Sequence, residues 1–145
     1  NCYNCMFEGC TSLTSAPELP ATYLVRECYH SMFNGCTSLA SAPKLPATTL
    51  AWGCYSEMFQ GCTSLTSAPE LPAKELIRNC YQLMFKDCSK LRYVKALFTT
   101  SPSEETTKDW LSGVAASGTF VKSKNATWNV TGVHSIPKGW KIETQ

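Results

Sequence analysis

The sequence predicts an α/β solenoid, with short parallel strands along one side and helices along the other. The cysteines recur with a 26-residue period, and the first cysteine of each copy is Cys2, Cys28, Cys54 or Cys80. The first part of each copy has the apolar spacing of a helix, and the second part predicts a short strand. A unit this small cannot bury its own apolar face, so the copies are expected to stack.

The first part of each copy, Cys-Tyr-x-x-Met-Phe-x-Gly-Cys, predicts a helix. Within residues 28–36 the apolar side chains stand at offsets of 0, 4, 5 and 8, which match one helical face. A glycine ends this segment in three copies, and Asp87 takes its place in the fourth. We expect helices near residues 2–9, 23–35, 49–61 and 75–87.

The second part, Thr-Ser-Leu-x-Ser-Ala-Pro-x-Leu-Pro-Ala, predicts a short strand whose Leu39, Ala42 and Leu45 face inward. The proline after each alanine lacks an N–H, so only about three to five residues can join a sheet. One strand and one helix within a period of this length is the arrangement of a leucine-rich repeat, here a short horseshoe segment. We expect strands near residues 12–17, 38–43, 64–69 and 90–97.

Residues 99–145 do not repeat and predict a small α+β segment that caps the last repeat. A helix is expected through residues 108–114, with Ser103 as an N-cap three residues before Thr106, and strands are expected over 118–122 and 139–143. The chain therefore divides into a repeat domain, residues 1–98, and a C-terminal capping segment, residues 99–145.

The run Met-Phe-x-Gly-Cys-Thr-Ser-Leu-x-Ser-Ala-Pro-x-Leu-Pro-Ala resembles the BspA-like leucine-rich repeats of bacterial cell-surface proteins. The later pattern GTFVK…W…IPxGW is similar to a C-terminal segment found after such repeats in gut Bacteroides proteins. The resemblance implies a location on the bacterial cell surface or outside the cell. Because the sequence begins with Asn1 inside a repeat, we expect a mature product or a fragment of a longer protein.

The nine cysteines allow several interpretations. A zinc site needs two close pairs, whereas only Cys2 and Cys5 are close together, and His30 and His134 each stand alone. Cysteines eight apart on a helix lie about 12 Å apart, and bridged Cα atoms lie within about 7 Å, which disfavours disulfides within a copy. One bridge through Cys5 remains open.

The interpretation that fits the repetition best is packing, in which each cysteine is a small buried apolar group in a column through the stack. A catalytic thiol is disfavoured because a nucleophile needs one distinctive neighbouring base, and eight of the cysteines occupy two equivalent positions. The sequence also lacks a nucleophile and base motif or paired carboxylates, so we expect no enzyme and no cofactor or metal.

Composition and charge exclude further classes of function. Hydrophobic residues make up 43% of the chain and charged residues 17%, which indicates a globular domain rather than a disordered one. The net charge of +2 comes from scattered Lys and Arg, which argues against a nucleic-acid partner. No apolar run approaches the length of about 20 residues that a membrane-spanning helix needs.

If the fixed positions form the core, positions that differ between copies are candidates for binding. A strand face of Ser and Pro with alternating Glu and Lys suits a flat protein partner better than a small molecule. Trp52 could anchor a protein or stack on a sugar, or could simply lie over its neighbouring helix. The candidate partner-binding residues are Glu18, His30, Lys44, Trp52, Glu70, Tyr93 and Lys95.

The resemblance implies a non-enzymatic adhesion or recognition module whose partner is a protein on a host or neighbouring cell. Two alternatives stay open at this point. The repeats could be a structural spacer with no ligand of their own, or a surface module that binds glycans through exposed aromatic side chains.

Overall fold

The computed structural model describes residues 3–145. Within them the chain has one helix and three strands, namely β1 (Tyr93–Ala96), α1 (Glu104–Thr107), β2 (Thr119–Lys122) and β3 (Lys141–Thr144). The strands form one parallel sheet in the order β1-β2-β3. No helix in this part of the chain has the length and apolar character needed to cross a bilayer.

The predicted α/β leucine-rich-repeat solenoid, with helices along one side, is wrong. The segments 23–35, 49–61 and 75–87 contain no helical residue and consist mainly of consecutive turns. Residues 3–9 of the first expected helix are turns as well, and residue 2 lies outside the described residues. The single helix, α1, has four residues and lies outside the repeats' turn segments.

The turns replace a helix because half of the backbone N–H groups bond to the next copy. In the second copy, the N–H of Tyr29 donates to the carbonyl of Cys54 (3.0 Å), and that of Phe33 to Met58 (2.9 Å). The intervening N–H groups close four-residue β-turns, as from the N–H of Met32 to the carbonyl of Tyr29 (3.3 Å). A helix would need all of these groups for its own i to i−4 bonds.

We call each copy of the repeat a coil and the turn segments 3–10, 27–36, 53–62 and 79–88 the turn ladder. A left-handed residue recurs every four positions in it, as at Glu27, Ser31 and Gly35, with φ of 52°, 53° and 74°. In the second coil, the two residues after Glu27 and the two after Ser31 face inward, as Met32 and Phe33 do. Four-residue turns thus produce the same i, i+4 pattern as a helix.

The strands expected in the first three copies are reduced to isolated parallel bridges, such as Ser15 with Ser41 and Ser67 with Tyr93. The fourth copy, in which Tyr93-Val-Lys-Ala replaces the proline-containing run, forms β1 within the expected range 90–97. Proline has no N–H to donate to a ladder, so the copies that contain it cannot extend their pairing.

Equivalent side chains stack directly on one another through the coils. Tyr3, Tyr29, Tyr55 and Tyr81 form one column with ring centroids 5.5 to 6.0 Å apart. Phe7, Phe33, Phe59 and Phe85 form a second column with centroids 5.5 to 5.6 Å apart. These columns belong to one apolar core that extends from Leu19 to Trp140.

The C-terminal segment continues the same stacking. Its β2 pairs with β1 in the register Tyr93 to Thr119, which repeats the step between equivalent residues of neighbouring coils. The strand predicted over 118–122 is confirmed as β2, and β3 lies close to the range expected for the last strand. The helix predicted over 108–114 is wrong, because Asp109 and Gly113 have left-handed φ of 48° and 77° and extend the four-residue turns.

Candidate functional site

The structure places the seven predicted binding residues in two separate regions. His30 and Trp52 lie beside the turn ladder and line one concavity together. Glu18, Lys44, Glu70, Tyr93 and Lys95 lie along the proline-containing segments and the strand that follows them. The two regions share no residue.

The proline-containing region is built from three equivalent segments, 17–20, 43–46 and 69–72, each with the sequence Pro-x-Leu-Pro. Their leucines point into the core and are nearly inaccessible: Leu19 is 7% exposed, Leu45 3% and Leu71 0%. The intervening charged residues are consequently on the outside, where Glu18, Lys44 and Glu70 are all exposed.

Hollows remain between these segments because their backbones do not pair. Among residues 3–145, segments 17–20 and 43–46 make no backbone hydrogen bond to each other or to another coil. In contrast, the N–H of Leu71 donates to the carbonyl of Lys95 (3.0 Å), where the fourth coil has no proline. Where two proline-containing segments face each other, their backbone carbonyls therefore accept no backbone hydrogen bond, and the hollows lie between these segments.

We call the two hollows the proline groove. The first has a volume of about 330 Å³ and lies between segments 17–20 and 43–46. The second has a volume of about 390 Å³ and lies between segments 43–46 and 69–72. Both are lined by Pro43, Lys44 and Pro46, so they form one continuous concave band over three coils.

Some charged side chains along the proline groove form ion pairs and others do not. Glu70 forms an ion pair with Lys95, with 3.0 Å between Nζ and Oε2. Glu18 and Lys44 form no ion pair within residues 3–145, so both charges remain available at the rim. Tyr93, 39% exposed, begins β1 and lies opposite Ser67 at the far end of the band.

We call the second concavity the ladder cavity. Its volume is about 200 Å³, and it is lined by Glu27, His30, Trp52, Gly53, Ser56, Glu57, Asn79 and Gln82. The guanidinium of Arg26 lies 4.1 Å from the centroid of the Trp52 ring, a cation–π contact that covers part of this half-buried side chain. Trp52 therefore packs against a charged neighbour and still contributes a wall to the cavity.

Sequence reasoning missed Glu27, Glu57 and Asn79, which come from three different segments of the turn ladder. A comparison of the copies could have identified this position as variable, since Glu27, Gly53 and Asn79 are equivalent and differ in chemistry. Their convergence with His30 and Trp52 depends on the stacking of the turn ladder.

The buried cysteines have the properties of packing groups. The thiols of Cys36, Cys62 and Cys88 each lie 3.0 to 3.2 Å from the carbonyl of a phenylalanine in the preceding coil. Burial raises the pKa of the Cys80 and Cys88 thiols to about 12, which keeps both protonated at neutral pH. A protonated thiol is neither a nucleophile nor a metal ligand.

Cys5 and Cys10 differ from these because they are exposed. The bridge through Cys5 that the sequence left open is not formed, since Cys5 is a free thiol. Among residues 3–145, no group of three or more His, Cys, Asp or Glu side chains is placed to hold a metal ion.

Comparisons with protein-family models, with curated proteins and with solved structures found no significant match to this chain. The function is therefore argued from the two concave regions and from the chemistry of the residues that line them.

Proposed function

We propose that the chain is a non-enzymatic protein-interaction module and that it binds its partner along the proline groove. The observation that carries this proposal is the continuity of the groove: two hollows of similar volume share Pro43, Lys44 and Pro46 as a common wall. An extended segment of a partner protein fits such a shallow band better than a compact small molecule does.

The groove also offers binding chemistry that the coils do not use themselves. Proline rings provide rigid apolar walls that lose little conformational entropy on binding. The unpaired carbonyl groups of segments 17–20 and 43–46 can accept hydrogen bonds from a partner's backbone N–H groups or from tyrosine hydroxyls. Glu18 and Lys44 place one charge of each sign at the rim, which can orient the partner.

The biological setting of the proposal is adhesion or recognition by a bacterial surface or secreted protein. It rests on the resemblance of the repeat sequence to the BspA-like proteins. The partner would then be a protein of a host or of a neighbouring cell.

Surface plasmon resonance of the immobilised chain against purified extracellular-matrix and cell-surface proteins tests the proposal. For a partner that binds, we expect Lys44→Glu to weaken binding by about tenfold, mainly through slower association. Pro46→Ser should also weaken binding, because Pro46 contributes to both hollows.

Lys124→Glu is the matched control for the charge reversal, since Lys124 is exposed and lies outside the groove. Equal losses in Lys44→Glu and Lys124→Glu would contradict a groove-specific contact. No binding to any member of the panel would favour the structural spacer instead.

A further inference from the structure

We propose that the ladder cavity is a second binding site, independent of the proline groove, and that it takes one neutral sugar unit of a glycan. Its volume of about 200 Å³ suits one monosaccharide ring rather than a protein segment. Its lining residues lie in or beside three successive segments of the turn ladder, so the cavity exists only in the folded stack.

The polar groups of the cavity are largely unused by the protein. Neighbouring backbone groups are already paired in the turn ladder, as between Gly53 N–H and the carbonyl of Arg78 (3.2 Å). In contrast, the side chains of Glu27, Ser56, Asn79 and Gln82 make no hydrogen bond within residues 3–145. Several hydrogen-bond donors and acceptors that the protein itself does not use therefore line the ladder cavity.

A buried hydroxyl orients two more of these groups. Ser31, only 3% exposed, lies 3.4 Å from Oε2 of Glu57 and 3.0 Å from Nδ1 of His30. When its hydroxyl donates to Glu57, its oxygen accepts from Nδ1–H of His30. In that tautomer, Nε2 of His30 is an acceptor for a ligand hydroxyl.

This mixture of groups favours a neutral polyhydroxy ligand. Sugar hydroxyls can donate to the carboxylates of Glu27 and Glu57 and accept from the amides of Asn79 and Gln82. An anion would be repelled by the two carboxylates, and a bare cation would leave the amide N–H donors without partners. The ring of Trp52, held in place by Arg26, gives an apolar wall for the C–H groups of a sugar.

Among the equivalent positions 26, 52 and 78, only Trp52 is aromatic, which limits the site to one. The equivalent residues in the neighbouring coils are Arg26 and Arg78. The guanidinium of Arg26 already lies over the Trp52 ring. One sugar unit per chain is therefore expected.

An NMR titration of the ¹⁵N-labelled chain with neutral methyl glycosides of glucose, galactose, mannose and N-acetylglucosamine tests the site. Sugar concentrations should reach about 50 mM, because a ligand this small is expected to bind with a Kd on the order of 1 mM. At least one glycoside should shift the amide signals of residues 52–57 and 79–82 in a saturable way.

We expect Gln82→Ala and Glu57→Gln each to weaken this binding by about tenfold, because the first removes one polar partner of the sugar and the second replaces a charged acceptor with a neutral amide. Lys44→Ala, in the proline groove, is the matched control and should bind the sugar as the unaltered chain does. Its failure to do so would place the sugar elsewhere and overturn the proposal.

The proposal is also overturned if none of the four glycosides shifts these amides, or if Gln82→Ala and Glu57→Gln both bind normally. Saturable shifts at the same amides with calcium or arginine ethyl ester, but with none of the sugars, would identify a cation site instead. Chemical-shift spectra of each variant without ligand show whether the fold is intact.

Discussion

The N-terminal coil and the C-terminal segment lie at the two ends of the same stack and differ in how their apolar groups are covered. In the N-terminal coil, Tyr3 is 43% exposed and Met6 56% exposed. In the C-terminal segment, Trp110 is fully buried and Trp140 is 6% exposed. The ends therefore expose different amounts of the same kind of core.

The two ends of the stack also differ in how completely their polar groups are hydrogen-bonded. The carbonyls of Met6 and Glu8 accept no backbone hydrogen bond within residues 3–145, whereas Met32 and Asn34, their equivalents one coil later, do. At the other end, the indole N–H groups of Trp110, Trp128 and Trp140 donate to backbone carbonyls at 2.8 to 3.3 Å. A regular coil presents the same groups to both neighbours, so closing an end requires residues that depart from the repeat.

The largest expected effect comes from removing one ring of the phenylalanine column. Phe59 is fully buried between Phe33 and Phe85, so Phe59→Ala should lower the free energy of unfolding by about 3 to 5 kcal/mol. Phe7 is only partly buried, so Phe7→Ala should cost clearly less. Urea unfolding of both variants measures the difference, and equal losses would contradict the contrast between the end and the middle of the stack.

We expect alkaline pH to lower the free energy of unfolding, because the thiols of the inner coils are buried in their protonated form. The pKa of Cys80 and Cys88 is raised by burial from 9.0 to about 12, so the folded chain keeps protons that the unfolded chain loses. The stabilisation is complete below pH 9 and is lost progressively between pH 9 and 12. At pH 10 the two thiols together should cost about 3 kcal/mol in the free energy of unfolding.

Urea unfolding at several pH values measures this loss. Cys88→Ala should flatten the dependence between pH 9 and 12 by up to about 1.4 kcal/mol per pH unit. Cys10→Ala is the matched control, because the Cys10 thiol is already in solvent. A Cys88→Ala variant with an unchanged slope would refute the role of the buried thiol.

The smallest expected contrast concerns two left-handed glycines. At Gly9 (φ 70°) a methyl group would meet no atom within 4 Å, so Gly9→Ala should cost about 1 kcal/mol of backbone strain. At Gly113 (φ 77°) the same methyl would lie 3.2 Å from Cα of Asp87 and closer still to its carboxylate. Gly113→Ala should therefore cost about 1 to 3 kcal/mol more in thermal or urea unfolding.

The repeat period and the burial of its fixed residues could be predicted from the sequence, because equivalent residues of stacked copies meet the same surroundings. The strand at 119–122 was also predictable, since Thr-Phe-Val-Lys has local strand character. The helices could not be predicted correctly, because the partner of the Tyr29 N–H is the carbonyl of Cys54, in the next coil. Local spacing carries no information about that bond.

The candidate sites show the same limit. His30 and Trp52 were identified because they differ between copies, but their common cavity depends on Glu57 and Asn79 from neighbouring coils. The proline groove lies between copies of one local run, Pro-x-Leu-Pro, and so Glu18, Lys44 and Glu70 could be placed on one face from the sequence. Its volume depends on how closely the coils approach one another.

The alternation of bonds within a coil and bonds between coils has a consequence for how such a chain can change in length during evolution. Duplicating or deleting one whole coil leaves every remaining coil with an equivalent neighbour, as the bond from Phe33 to Met58 and that from Phe59 to Met84 illustrate. Inserting one residue in a turn ladder would shift the four-residue pattern by one position, so that one of every two inward side chains would turn outward for the rest of that segment. We therefore expect the fold to tolerate duplication or deletion of whole copies better than insertion of single residues.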